Sequence, residues 1–298
     1  MPTLPKGLRG HLPDVAEADR PRPVHVEHEK LGPMVPMMSN SPKQWIAASG
    51  MMLRVLVGSG VHGTAIEGQD DRDEMGICVE PAQYVAGLRQ FSHYEFRTQP
   101  EGVCSGPGDL DLIVYGLRRY ASLAAKGNPT VLLPLFVPDE HVCYINDFGR
   151  ELRERKDMFL SKQVGARFKG YLHSQREGLM GLRSGGTRNQ GRQDIRDKYG
   201  YDVKFAMHML RLGYQGAELL STGNIVLPMT GKSGDICKSV RRGDKPGEEG
   251  KQWCLAEAER LEKQIDMLME TTRLPEDPDY DAINEWLVSV HARRWGLS

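Results

Sequence analysis

The chain has 298 residues, 39% of them hydrophobic and 27% charged, with a formal net charge of −1. That is length for one large domain or two and apolar material for a substantial core, so the sequence reads as a soluble globular protein. No apolar run approaches 18 residues, which excludes a membrane-spanning helix, and without an apolar h-region near the N-terminus no secretory signal is expected. The five cysteines, Cys78, Cys104, Cys143, Cys237 and Cys254, are scattered and odd in number with no C-x-x-C pair. They suit a reduced, cytoplasmic protein and argue against a structural zinc site.

Residues 1–40 contain Pro2, Pro5, Pro13, Pro21, Pro23, Pro33 and Pro36 among mixed charges, and read as an extended arm that does not easily bury a core. His11, His25 and His28 within it read as surface histidines rather than a metal cluster. Ser41 then caps a short helix over 43–48, with Pro42 at its first position. A buried strand over 52–57 runs into Gly58-Ser59-Gly60-Val61-His62-Gly63-Thr64, a glycine-rich turn that opens a helix, where backbone N–H groups can hold phosphate. The next strand, 71–79, begins with Asp71 and Asp73. Strand side chains alternate, so these carboxylates share one face and Arg72 points away. A turn for phosphate followed by a carboxylate pair for a cation makes a site for a metal–nucleotide complex.

Gly58-Ser59-Gly60-Val61-His62-Gly63 also spells the dinucleotide fingerprint G-x-G-x-x-G. That fold needs a crossover helix of a dozen or more residues before a parallel second strand. Here Gly68-Gln69-Asp70-Asp71 follows almost at once, and the acidic residue expected about 20 positions on could only be Glu80, just before Pro81. The fingerprint is therefore set aside.

Alternation through Phe91, His93 and Glu95 predicts a strand over 91–98, and 109–115 predicts another that starts with Asp109 and Asp111 on one face. A carboxylate in a buried strand needs a partner. A shared metal ion supplies one; the alternative is a strand end lying in solvent. A helix over 115–126 ends at Gly127, and Asn128 restarts a helix as N-cap with Pro129 at N1. From residue 145 the strands stop, and helices are expected over 147–159, 163–183, 202–221, 248–272 and 282–295. Between Arg150 and Arg211 there are 15 Lys and Arg against 7 Asp and Glu, a field that attracts triphosphates and nucleic-acid backbone alike. Residues 183–192 read as a basic loop, suited to clamping phosphate or simply solvated. Residues 231–250 read as an exposed loop around a short helix. Gly231-Lys232-Ser233 is not a P-loop, because Val226 stands where that motif needs glycine.

Gly58-Ser59, Gly63-Thr64 and Asp71-x-Asp73 resemble the signature of the DNA polymerase β-type nucleotidyltransferases, and the RNA-ligase-associated branch most of all. His62 and Arg72 stand where that pattern carries aromatics. Residues 123–132 resemble the family at the corresponding place, and the stretch from Gly200 to Leu212 resembles the most distinctive motif of its helical half. The resemblance implies an α+β protein: a nucleotidyltransferase catalytic domain on a small mixed sheet over 41–142, then an all-helical C-terminal domain over 143–298, after the arm of 1–40. It also implies that Asp111, four residues before Tyr115, is the third carboxylate in preference to Asp109.

By that resemblance Asp71, Asp73 and Asp111 are catalytic and hold Mg²⁺ or Mn²⁺, while Gly58, Ser59, Gly63 and Thr64 hold a nucleoside triphosphate. Tyr201, Lys204, His208 and Arg211, spaced by three, four and three residues, would line one helical face. That face either closes over the nucleotide, with Lys204 on a phosphate and His208 near ribose or base, or is a solvated cationic stripe. The implied acceptor is an RNA end, with tRNA one candidate. Transfer to a protein hydroxyl and a catalytically inactive nucleotide- or RNA-binding module are the alternatives.

Overall fold

In the computed structural model the described residues are 41–66, 68, 71–100, 103, 105–182 and 190–297. The N-terminal arm with its three histidines, Cys104 and residues 183–189 of the expected basic loop lie outside them. The first helix, α1 (Pro42–Ser49), begins as its sequence dictates: Ser41 Oγ accepts from the Gln44 N–H at 3.2 Å, and Pro42 takes the first position, where no N–H is needed. Then come β1 (Met51–Leu56), α2 (Gly58–His62), β2 (Arg72–Cys78), α3 (Ala82–Val85), β3 (His93–Arg97), β4 (Leu110–Gly116), α4 (Leu117–Ala125) and β5 (Val142–Ile145). The described elements beyond β5 are helical: α5 (Asp147–Glu154), α6 (Gln163–Leu179), α7 (Gln190–Tyr199), α8 (Val203–Thr222), α9 (Gly231–Arg242), α10 (Gly247–Thr271) and α11 (Tyr280–Trp295).

The five strands form one sheet in the order β3-β4-β2-β1-β5. Only β2 and β4 run parallel; every other pair is antiparallel. This is the mixed sheet with a helical C-terminal part that the α+β reading expects. The dinucleotide reading fails on two counts: α2 has five residues, and β1 and β2 are antiparallel.

Both faces of the sheet are covered. On one, Leu53, Val55, Met75 and Ile77 pack with Leu117 and Tyr120 of α4 in a core that continues through Phe168, Leu172, Leu210, Leu261 and Trp286 of the helices. On the other, Ile46 and Ala47 of α1 meet Cys78, Phe91, Leu112 and Val114. Glu80 ties the C-terminus to the sheet. Its buried carboxylate accepts from the N–H groups of Leu117 and Arg118 at the start of α4, where helix N–H groups have no partner of their own, and it meets His291 Nε2 at 3.3 Å. The Trp295 indole N–H donates to the Glu80 carbonyl.

Some helices differ from expectation. The helix over 147–159 breaks after Glu154 and continues as a 3₁₀ turn, and the one over 163–183 stops at Leu179. Asn128 does cap, its Oδ1 accepting from the Thr130 and Val131 N–H groups, but only a 3₁₀ turn follows, at Leu133–Leu135. Residues 231–250, read as an exposed loop around a short helix, hold the twelve-residue α9 and the start of α10.

Candidate active site

Two neighbouring strands carry the acidic cluster. In the parallel pairing of β2 and β4, Asp73 lies directly opposite Asp111, so both side chains project from the same face about one strand spacing, roughly 4.8 Å, apart. Asp71 precedes β2 by one residue and shares that face by alternation. A carboxylate oxygen from each of Asp71, Asp73 and Asp111 lies within 4.8 Å of the others, and all three residues are partly buried. Like charges at that separation repel unless a cation joins them. Arg97, opposite Asp111 on β3, brings its Nη2 to 3.6 Å from Asp111 Oδ2.

Asp111 is held in orientation by a short loop. Its Oδ1 accepts from Gln99 Nε2 and its Oδ2 from Ser105 Oγ, both at 2.9 Å, and Gln99 and Ser105 also bond to each other. Asp109 does different work. Its carboxylate accepts from the Gly106 N–H and the Thr98 hydroxyl, which hold it below its usual range, and it closes the turn before β4 in solvent. Of the two acids left open by the strand pattern, the geometry thus groups Asp111 with Asp71 and Asp73.

The glycine turn abuts this cluster. The Val57 N–H donates to the Asp73 carbonyl at 2.9 Å, and Gly58 follows with φ +71°. A Cβ on Gly58 would stand 2.8 Å from both Cβ and Cγ of Asp73, and nearer still to Oδ2. Glycine is needed there twice over, for the left-handed backbone and for the carboxylate behind it. Gly63 closes α2 with φ +70°, and Thr64, only 2% exposed, folds back with its N–H and hydroxyl on the Ser59 carbonyl at 3.0 and 3.5 Å. Thr64 therefore shapes the turn, its hydroxyl committed to the backbone. The far side of the turn rests on the segment before α9, where the Met229 N–H donates to the His62 carbonyl.

The helical stripe divides. Asp202 caps α8 through its side chain on the Lys204 and Phe205 N–H groups, so the helix begins at Val203 and Tyr201 lies outside it. Helical spacing does not extend to Tyr201. It is 3% exposed, its hydroxyl donates to the Lys245 carbonyl at 2.8 Å, and burial raises its pKa. Tyr201 packs before α8 against the segment leading into α10, so the expectation that it shares a helical face with Lys204, His208 and Arg211 is corrected. Lys204, His208 and Arg211 stay together on one side, each partly buried. Burial, and then the charges of Arg211, Arg241, Arg192 and Lys204, push the His208 pKa down to about 3. Arg211 reaches the turn itself: Nη1 stands 2.6 Å from His62 Nε2, while the Gln215 amide lies 3.1 Å from Nδ1. His62 is buried, and its pKa is lowered well below the ordinary range by that burial, then by Arg211 and His208. Neither the His62–Arg211–Gln215 contact nor the Gln99–Ser105 support of Asp111 is visible as a sequence motif.

The family described as RlaP, RNA repair pathway DNA polymerase beta family, matches residues 41–289. The chain belongs to this family. The RlaP match takes in the sheet, the glycine turn, the three carboxylates and the helices through most of α11. No curated protein matches the chain. Among solved structures, the crystal structure of a nucleotidyltransferase-like protein from Exiguobacterium sibiricum 255-15 is 10% identical, over 84% of this chain and 77% of that one, with a TM-score of 0.27. Among the described residues, no helix of this RlaP member is long and apolar enough to cross a membrane.

Proposed function

We propose that this protein transfers a nucleoside monophosphate from a nucleoside triphosphate to a hydroxyl on RNA, at the site formed by the glycine turn and the three carboxylates. The observation that carries this reading is the convergence of Asp71, Asp73 and Asp111 to within 4.8 Å beside a turn whose first glycine leaves room for the Asp73 carboxylate. The donor set fits a hard divalent cation, since it offers only carboxylate oxygens and no sulfur or imidazole. Asp71, Asp73 and Asp111 would hold Mg²⁺ or Mn²⁺, which when bound stabilises the attacking and leaving oxygens of an in-line displacement at phosphorus.

The chain's own groups do the rest. The N–H groups of Gly58 and Ser59, which as the first of α2 have no intrahelical partner, face the outer phosphates, with Lys204 adding a positive charge for them. Asp111, held by Gln99 and Ser105, stands on the acceptor side and takes the hydroxyl proton on a carboxylate oxygen. The hydroxyl oxygen bonds to the α-phosphorus, the bridging bond to the β-phosphate breaks, and its electron pair leaves with pyrophosphate. Arg97, beside Asp111 and largely exposed, offers the acceptor backbone a phosphate contact. An RNA acceptor agrees with the description of the matched family and with the excess of Lys and Arg between residues 150 and 211.

The test is to incubate the protein with each α-labelled nucleoside triphosphate, Mg²⁺ and total RNA, and to follow the label. Label on RNA is the expected result. Label on protein would move the acceptor to a protein hydroxyl, and nucleotide binding with no transfer to any acceptor would favour an inactive binding module.

A further inference from the structure

The glycine turn ends in a histidine whose ring is held from α8. His62 is 3% exposed, and its ring meets Arg211 Nη1 at Nε2 and the Gln215 amide at Nδ1. Arginine can only donate, so Nε2 must accept, and the single proton of a neutral imidazole sits on Nδ1. Gln215 then faces incompatible demands. With its oxygen accepting from Arg211 Nη1 at 3.2 Å, its NH₂ group is turned toward Nδ1–H, donor against donor. Turning the amide over satisfies Nδ1–H and sets the NH₂ group against Arg211 instead. One of the three contacts is unmade in either arrangement, and a protonated ring would add a second donor.

Charge is as one-sided as the hydrogen bonding. Among the described residues Arg211 has no carboxylate within ion-pair distance, its Nε is enclosed with no hydrogen-bond partner, and burial lowers its pKa to about 10. Arg192 nearby is different, since Asp202 pairs with it at 3.0 Å. A cation withdrawn this far from water is ordinarily matched by an anion. Arg211 is partly exposed as a residue, and Lys204 and His208 lie on the same side of the helix, two turns and one turn back.

We propose that Arg211 joins Lys204 as a phosphate contact of the helical half, taking the pyrophosphate part of the nucleotide, and that it exchanges His62 for phosphate on binding. His62 is then a positioning residue. Paired with Arg211 it braces the turn, and once phosphate takes its place on Arg211 the turn, with Gly58 and Ser59, is free to settle around the phosphates. The inference rests on the nucleotidyltransferase reading for its ligand, and deepens it by assigning a contact on α8 and a coupling between the two halves of the site.

The experiment uses the full chain and sodium pyrophosphate in EDTA, with the dissociation constant read by calorimetry and folding of each variant checked by circular dichroism. Arg211→Met is expected to weaken pyrophosphate binding tenfold or more, and Arg211→Lys, which keeps the charge without the guanidinium fork, less than that. His62→Phe removes the competing acceptor, so it should bind pyrophosphate two- to fivefold more tightly while kcat for transfer falls; a merely structural His62 would weaken both. If Arg211→Met fails to fold, the Lys and Phe variants decide by the same directions. No pyrophosphate binding by the native chain, binding within twofold of native in the Arg211 variants, or weaker binding in His62→Phe would each overturn the proposal. Arg211-dependent binding in a protein that transfers no nucleotide would leave the anion site standing and remove the transferase reading. Transfer with Arg211-independent binding would do the reverse.

Discussion

Gly58→Ala is the most informative single substitution in the turn. The backbone there has φ +71°, which costs an alanine about 1–2 kcal/mol. Its Cβ would also stand 2.8 Å from Cβ and Cγ of Asp73, so restoring an ordinary contact of 3.4 Å requires those atoms to retreat by about 0.6 Å, and the carboxylate oxygen by more. A displacement approaching 1 Å at a reacting centre costs about 10²-fold in rate. The expected outcome is thus a modest loss of stability, about 1–3 kcal/mol, joined to a loss of transfer near 10²-fold. Urea unfolding followed by tryptophan fluorescence gives the first number, and label transfer under saturating nucleotide gives the second. Gly60→Ala is the control for stability. Gly60 has no neighbour within 4 Å of its would-be Cβ and no positive φ, so alanine in α2 should leave stability unchanged or raise it by about 0.4–1 kcal/mol. Transfer by Gly58→Ala within threefold of native would refute the argument that this glycine makes room for the carboxylate.

Other residues give further expectations. The Glu74 carboxylate lies enclosed between Arg54 and Arg72, so Glu74→Ala strands the buried Arg54 guanidinium and should cost about 3–5 kcal/mol by urea unfolding; the double replacement Arg54→Met with Glu74→Leu should recover most of it. Glu80→Gln keeps one of the two acceptor oxygens that α4 uses and removes the charge that His291 faces, and should cost less than Glu80→Ala, which loses about 1–2 kcal/mol with the whole cap. His62 and His208 have lowered folded pKa values, so the unfolded chain binds protons that the folded one refuses. Stability from these rings is complete above about pH 6.5 and falls below it by about 1.4 kcal/mol per unit for each ring. Denaturation midpoints measured from pH 8 to pH 5 should decline accordingly, and less steeply in His208→Phe; a flat profile would contradict the neutral-ring assignment.

What the sequence makes legible is local. The apolar run into Gly58-Ser59, the alternation that sets Asp71 and Asp73 on one face, and the Ser41 and Asn128 caps follow from periods of two and from short-range hydrogen bonding. The parallel pairing that sets Asp111 beside Asp73 joins strands 38 residues apart, and only the family resemblance pointed to it. α7 escaped because Ile195 is its one aliphatic residue in a helix otherwise nearly all polar. α9 escaped because its buried stripe is narrow and starts at Gly234, whose bare Cα lets the Met229 carbonyl approach. The grip of Arg211 on His62 spans 149 residues, and no spacing rule reaches that far. Tyr201 shows the opposite failure: a helical period was extended one residue past the Asp202 cap.

The most direct test of the whole account is transfer of an α-labelled nucleoside triphosphate to RNA by native protein and by Asp73→Asn, with and without Mg²⁺, after confirming that both are folded. The account predicts label on RNA from the native protein only when the divalent ion is present, and at least a 10³-fold loss in the variant, since the chemistry has no other cluster of carboxylates to use among the described residues. Comparable turnover by Asp73→Asn, or transfer that proceeds undiminished in EDTA, would contradict it.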